Sequence, residues 1–165
     1  MKGLFKMKKL LYLSVAVSMY AFTAAAGEQQ TAKANFEEYI SDIKSILPEF
    51  AKFGNVKQRE VFLLDKNNTC IATLRTAPEK YERKEGFDGF INTAVIIKDN
   101  KVIGVAVGKN SETPRWMKKV RSAGFLKSWN GKSVDEAKKL KVDAVTGATW
   151  SSNAIKSEVK AILSK

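Results

Sequence analysis

The residues with the most chemical potential lie late in the sequence, where Asp143, Ala144, Val145, Thr146, Gly147, Ala148, Thr149, Trp150, Ser151 and Ser152 follow one another. Small side chains around a glycine predict a tight turn. Beyond it, Ile155, Val159, Ile162 and Leu163 recur at helical steps and predict a helix. Thr149, Ser151 and Ser152 are N-cap candidates, with hydroxyls that accept the amide hydrogens left over in a first turn. A helix N-terminus behind a glycine turn also favours a phosphate, through free N–H groups and the helix dipole. The stretch reads either as an ordinary capped helix or as a phosphate seat with the Thr149 hydroxyl pointing into it. Spacing alone does not separate the two.

Other chemistries are poorly served. The chain has no His and a single Cys, so no Cys/His cluster exists for an iron–sulfur, haem or ordinary zinc site, and no metal site is assigned. Cys70 has no internal disulfide partner, and within a strand it reads as a small buried filler. Without His or an evident nucleophile–base pair, no catalytic residue is assigned. The chain reads as a carrier more than a self-contained enzyme. A second polar stretch, Gly108, Lys109, Asn110, Ser111, Glu112, Thr113 and Pro114, follows a strand and forms the kind of loop that carries binding residues. Arg115, Lys118, Lys119, Arg121 and Lys127 come next. They read as a solvated face, as cations near a bound anion, or as a surface steering an acidic partner.

The elements that must position these residues are legible by period. Phe36, Tyr39, Ile40, Ile43, Ile46 and Leu47 predict a helix with Asn35 as N-cap and Glu37 and Glu38 in its first turn; Pro48 ends it, and Gly54 and Asn55 close the segment. Residues 59–64 and 69–75 predict a hairpin about Asp65, Lys66, Asn67 and Asn68. Residues 79–85 are charged and read as exposed. Residues 92–97 and 102–107 predict the clearest hairpin, turning at Lys98, Asp99, Asn100 and Lys101. After a loop-rich middle, Ser133 and Glu136 form a capping box for a short helix over 134–140. The sum is an α+β fold, a mainly antiparallel sheet built from hairpins and flanked by an N-terminal and a C-terminal helix.

Residues 1–26 read as an export signal, with Lys2, Lys6, Lys8 and Lys9 before an apolar run over 10–22 and a small-residue site at Ala24, Ala25 and Ala26. That run is short against the ~20 residues of a membrane span, which favours cleavage over retention as an anchor. Residues 27–33 read as a linker and 34–165 as one domain. Of the 165 residues 44% are hydrophobic and 28% charged, enough for a real core, and the net charge is +12. For an exported basic protein, nucleic acid is a poor partner. An anionic membrane surface, an acidic redox protein or an anionic cofactor fits better.

The order D-x-x-T-G-A-T-x-S-S resembles the flavinylation motif D-x-x-[ST]-G-A-[ST]-x-[ST] of the FMN-binding domain family. That family includes the flavin-bearing C and G subunits of the sodium-pumping NADH:quinone oxidoreductase and of the Rnf complex. Three further blocks are similar and stand in the family's order: Gly86, Phe87, Asp88, Gly89, Phe90 and Ile91; Val102, Ile103, Gly104 and Val105 with Ser111, Glu112, Thr113 and Pro114; and Phe125, Leu126, Lys127, Ser128 and Trp129 with Gly131, Lys132 and Ser133. The resemblance implies FMN, attached by a flavin transferase through its phosphate to Thr149. It implies that Asp143 assists the transferase or simply braces the turn, that Thr146 and Gly147 shape the turn with Ala148 beside them among the cofactor-binding residues, and that Ser151 and Ser152 bind phosphate oxygens. Glu112 and Thr113 would contact the isoalloxazine or ribityl chain. Two departures stand out. Where the family loop continues E-T-P-G-[LI]-G, this chain has Arg115, Trp116 and Met117. Where an aliphatic residue usually follows the modified Thr, it has Trp150, which either stacks on the flavin or packs beneath the helix as core. The implied protein is an exported flavoprotein, periplasmic or on the outer face of the cytoplasmic membrane, exchanging electrons with a membrane or extracytoplasmic redox protein. A flavin-dependent reductase of a small acceptor and a cofactor-free binding module of the same fold stay open as alternatives.

Overall fold

The computed structural model describes residues 36–164. The expected export signal, the linker and the Asn35 N-cap lie outside the described residues. A 3-10 turn, Glu37–Tyr39, runs into α1, Ile40–Ile46. Five strands follow: β1 Lys52–Lys57, β2 Glu60–Leu64, β3 Cys70–Thr76, β4 Ile91–Lys98 and β5 Lys101–Asn110. They lie side by side in sequence order, every neighbouring pair antiparallel. Then come α2 Pro114–Ser122, a 3-10 turn Phe125–Lys127, α3 Val134–Lys139 and α4 Thr149–Leu163. The expected α+β class and its two flanking helices are both present.

Side-chain alternation explains the layers. On β4, Ile91, Val95 and Ile97 face a core shared with Ile155, Val159 and Ile162 of α4 and with Phe125 and Trp129. Ala94 and Ile96, on the opposite face, join Phe36, Tyr39, Ile43 and Leu47 from the N-terminal helix. Both faces of β4 are covered, so residues 93–97 are buried without alternation and Ala94, Val95, Ile96 and Ile97 are apolar in succession. Four apolar side chains of α4, Ile155, Val159, Ile162 and Leu163, are at most 2% exposed. At ~1.5–3 kcal/mol each, their burial holds the helix down far more firmly than propensity could. Its far end is tied by Arg59, whose guanidinium donates to the carbonyls of Ser164 at 2.9 Å and Ala161 at 3.5 Å.

Local signals were read faithfully where they were local. In the β4–β5 turn Asp99 and Asn100 take φ +49 and +59, the paired left-handed conformation of a tight hairpin. Asp65 Oδ1 accepts from the N–H groups of Asn67 and Thr69, each at 2.8 Å. Ser133 and Glu136 form the full capping box of α3.

Three expectations are corrected. Gly54 and Asn55 do not close a segment; they lie inside β1, where the register shifts between Phe53 and Val56. A Cβ on Gly54 would crowd Phe62 and Leu64 at 3.1 Å, so this glycine marks a close approach of strands and not a break. Residues 114–122 are a helix, not loop: Pro114 occupies its first position, where a missing N–H costs nothing. Cys70 is exposed although it stands two and four residues before the inward Ala72 and Leu74, because the register shift between Leu63 and Leu64 interrupts the alternation at the start of β3.

Candidate functional site

Thr149 is the first residue of α4, and it is exposed. The capping position belongs to Ala148, not to a hydroxyl residue, and no side chain caps it. The turn is closed from within. Ser152 Oγ donates to Ala148 O at 2.6 Å and accepts from Val145 N–H at 3.0 Å, while Ala148 N–H donates to Val145 O at 2.9 Å. Gly147 supplies the left-handed bend, with φ +74. The first helical bond of α4 runs from Ser152 N–H to Ala148 O. The amides of Thr149, Trp150 and Ser151 therefore have no intrahelical acceptor. They head a helix of 15 residues, and the dipole adds partial positive charge there.

Ser151 and Ser152 were expected to face a phosphate with their hydroxyls. Both are buried, 1% and 0% exposed, and both hydroxyls are used inside the protein. Ser151 Oγ donates to Glu112 in a short bond. Glu112 is itself buried, and its carboxylate also accepts the Asp88 N–H at 2.8 Å. Gly86 lies so close to that carboxylate that any Cβ would run into it. One carboxylate thus ties three segments together: the turn at 86–89, the loop after β5 and the first turn of α4. Both Glu112 oxygens are engaged within the protein, one by Asp88 N–H and the other by Ser151 Oγ, which gives the residue a bracing role. Thr113 is exposed, and its carbonyl accepts the N–H groups of Trp116 and Met117 as α2 begins.

The sequence offers Lys119 as one of five cations that could lie near a bound anion, and the structure distinguishes it. Lys119 reaches across to the turn, so that a Cβ on Gly147 would stand 2.5 Å from its Nζ. The same ammonium lies 5.3 Å from the centre of the Trp116 ring, and Arg115 lies 5.5 Å from it. Phe87, 66% exposed, meets Trp116 edge to face at 6.5 Å. The ion pairs among the described residues are Arg75–Glu60, Arg83–Glu158 and Arg121–Asp42. Lys119 is in none of them, so its charge faces the turn uncompensated. The basic cluster therefore divides: Arg121 is engaged by Asp42, Lys119 adjoins the turn, and Lys118 and Lys127 are exposed.

Asp143 and Thr146 are exposed and line a shallow cavity of about 720 Å³ with Phe125, Leu140 and Val142. Trp150 is 68% exposed, which rules out its packing beneath the helix as core and leaves its ring free. Behind the site, α4 is locked by Glu158, buried and paired to Arg83 at 2.7 Å. Burial alone would depress the Arg83 guanidinium, but the bond and charge of Glu158 outweigh it and hold the group above its ordinary value. Burial and the same carboxylate push the Tyr81 hydroxyl up.

The geometry offers an anion an exposed hydroxyl, three free amides, a helix dipole and one free ammonium, all about a glycine turn, with aromatic faces nearby. Those features suit a phosphate that carries an aromatic ring system. No curated protein and no solved structure matches the chain. Residues 86–164 match the family model described as FMN-binding domain. The match opens at the glycine lying against Glu112 and closes with α4; α1 and β1–β3 precede it, the three strands extending the same sheet. The groups gathered about the turn fit a flavin phosphate in charge and in donor type. Residues 86–164 are thus similar to the FMN-binding domain family, and the cofactor that this match indicates is FMN.

Proposed function

We propose that this protein is an exported carrier that holds FMN by a phosphoester to Thr149 and relays electrons in an extracytoplasmic or membrane-associated redox chain. The observation that carries the reading is the exposed hydroxyl of Thr149, set at the head of α4 beside free amides and an uncompensated lysine. When bound, FMN supplies one- and two-electron redox chemistry. The chain supplies the seat. Thr149 Oγ gives up its proton and becomes the ester oxygen, and the adduct is FMN plus protein less one water. The amides of Thr149, Trp150 and Ser151 donate to phosphate oxygens, and Lys119 offsets their charge. Gly147, lacking a side chain, leaves the turn open to the phosphate. Trp116, Phe87 and Trp150 present aromatic faces to the ring system. Asp143 and Thr146, exposed on the approach to the turn, are where a flavin transferase would engage it. Export rests on the leader-like residues 1–26.

Intact mass of the protein co-expressed with a flavin transferase, beside Thr149→Ala, tests this. The expected result is a gain of one FMN less one water, absent from the variant. A yellow protein without added mass removes the tether but keeps the carrier. An adduct that persists in Thr149→Ala refutes the assignment of the ester to Thr149.

A further inference from the structure

Beside the first turn of α4 runs an open groove of about 890 Å³. One wall is the face of α4 bearing Trp150, Asn153, Ser157 and Lys160, residues three and four apart. The other walls come from the end of α3 and from the segment preceding β4. Five large apolar side chains are exposed among the described residues, and three of them, Phe90 at 45%, Leu140 at 36% and Trp150 at 68%, line this one groove. Isolated exposed apolar side chains are ordinary; a shared concavity that gathers them marks an interaction site. Lysines at 84, 138, 156 and 160 also line the groove, against a single carboxylate, Glu85. None of the four lysines is in an ion pair among the described residues.

We infer that this groove is a docking surface for an acidic, electron-exchanging protein. An apolar side chain of the partner fills the space between Trp150 and Phe90, and its carboxylates meet the four lysines. Exposed aromatics ringed by charge of one sign are the composition of an interface centre and its steering rim. The redox character of the partner rests on the reading that Thr149 carries FMN, because Trp150 is the next residue and a protein docked there lies against the cofactor's point of attachment. The shape and charge of the surface do not rest on it. Lys156 and Lys160 follow Thr149 by seven and eleven residues, about 10 and 16 Å along the helix axis. At physiological salt that is beyond the ~8 Å over which exposed charges act; at low ionic strength their field reaches the flavin seat, so there the affinity of the colourless protein is the readout that isolates the surface.

The probe is a plant-type [2Fe–2S] ferredoxin, an acidic one-electron protein. Its affinity is measured by calorimetry with the colourless and the FMN-loaded protein. The rate is measured at which the reduced cluster gives up one electron, becoming oxidised as FMN is reduced. The double variant K156E/K160E should bind at least about tenfold more weakly at low ionic strength and reduce more slowly by a similar factor, both differences fading at high salt. W150A should weaken binding by about tenfold with the salt dependence unchanged. The matched reversal R115E/K118E on α2 should have the smaller effect. Groove reversals that change nothing, or α2 reversals that weaken binding as much, would overturn the assignment. Binding lost when FMN is attached would mean that the flavin fills the groove, and would also overturn it. If no FMN can be attached at all, the carrier reading fails, and the affinities of the colourless protein still decide the docking surface.

Discussion

Replacing Ser151 by alanine tests whether Glu112 holds the head of α4 in place. Both residues are buried, Ser151 1% and Glu112 6% exposed, and the carboxylate takes one hydrogen bond from the Ser151 hydroxyl and one from the Asp88 N–H. A hydrogen bond to a charged group contributes ~1.5–3 kcal/mol. Alanine recovers about 0.5 kcal/mol of helix propensity. Ser151→Ala is therefore expected to destabilise by about 1–2.5 kcal/mol. Glu112→Ala leaves two buried donors without an acceptor and opens a cavity, for a loss of about 2–4 kcal/mol. The two changes remove one shared contact, so the double variant should fall short of their sum by about 1–2 kcal/mol. Urea unfolding followed by far-UV circular dichroism measures all three, provided the slope stays that of the wild type. A coupling energy within about 0.5 kcal/mol of zero would refute the brace.

Other expectations follow from single contacts. Gly147→Ala forces a left-handed conformation on a residue with a Cβ and pushes against Lys119 Nζ; it should cost about 1–2 kcal/mol, and an unchanged thermal midpoint would contradict the geometry. Arg83→Ala strips the partner from Glu158, whose side chain is 3% exposed, and should cost ~3 kcal/mol in chemical denaturation; less than ~1 kcal/mol would mean that the pair does not lock α4. The Ser133 N–H and hydroxyl hold the Glu136 carboxyl below its ordinary range. Its folded value is depressed, so its support of α3 is complete above the unfolded pKa of ~4.3 and fades as pH falls through the folded value. Accordingly, the stability gap between Glu136→Gln and the wild type should be visible at pH 6 and shrink at pH 3. A gap that widens in acid would reverse that reasoning.

What could be read before folding was whatever depends on near neighbours. The Ser133–Glu136 box, the Asp99–Asn100 turn and the apolar stripe of α4 each span a few residues, so pattern and chemistry coincide. Thr149 itself was legible through a ten-residue motif. The partners of that motif were not. Glu112 reaches Ser151 across 39 positions, and Lys119 reaches Gly147 only because α2 folds over the turn. In the linear chain Lys119 is one cation among five, and nothing local distinguishes it. The helix α2 was missed because its inward side chains, Met117 and Val120, are too few to outweigh a basic, loop-like composition. In β1, half-buried and interrupted by Gly54, tertiary pairing overrode the glycine's usual meaning. The serines beside Thr149 were taken for surface hydroxyls because their types suit a cap; only the packing of α4 shows that they point inward.

The Glu112 brace has a consequence for when Thr149 takes its place at the head of α4. The sheet neighbours are consecutive in the chain, so β1–β5 can assemble as they are made, while the head of α4 waits for residues 149–163 to be synthesised and buried. The contacts that shape the ten-residue motif need that helix: Ser152 closes the glycine turn and Ser151 meets Glu112 from within its first turn. The folded domain, and not the motif as a peptide, presents Thr149. On the proposed reading that a transferase loads FMN on Thr149, it would meet that surface only on chains whose C-terminal helix had already docked.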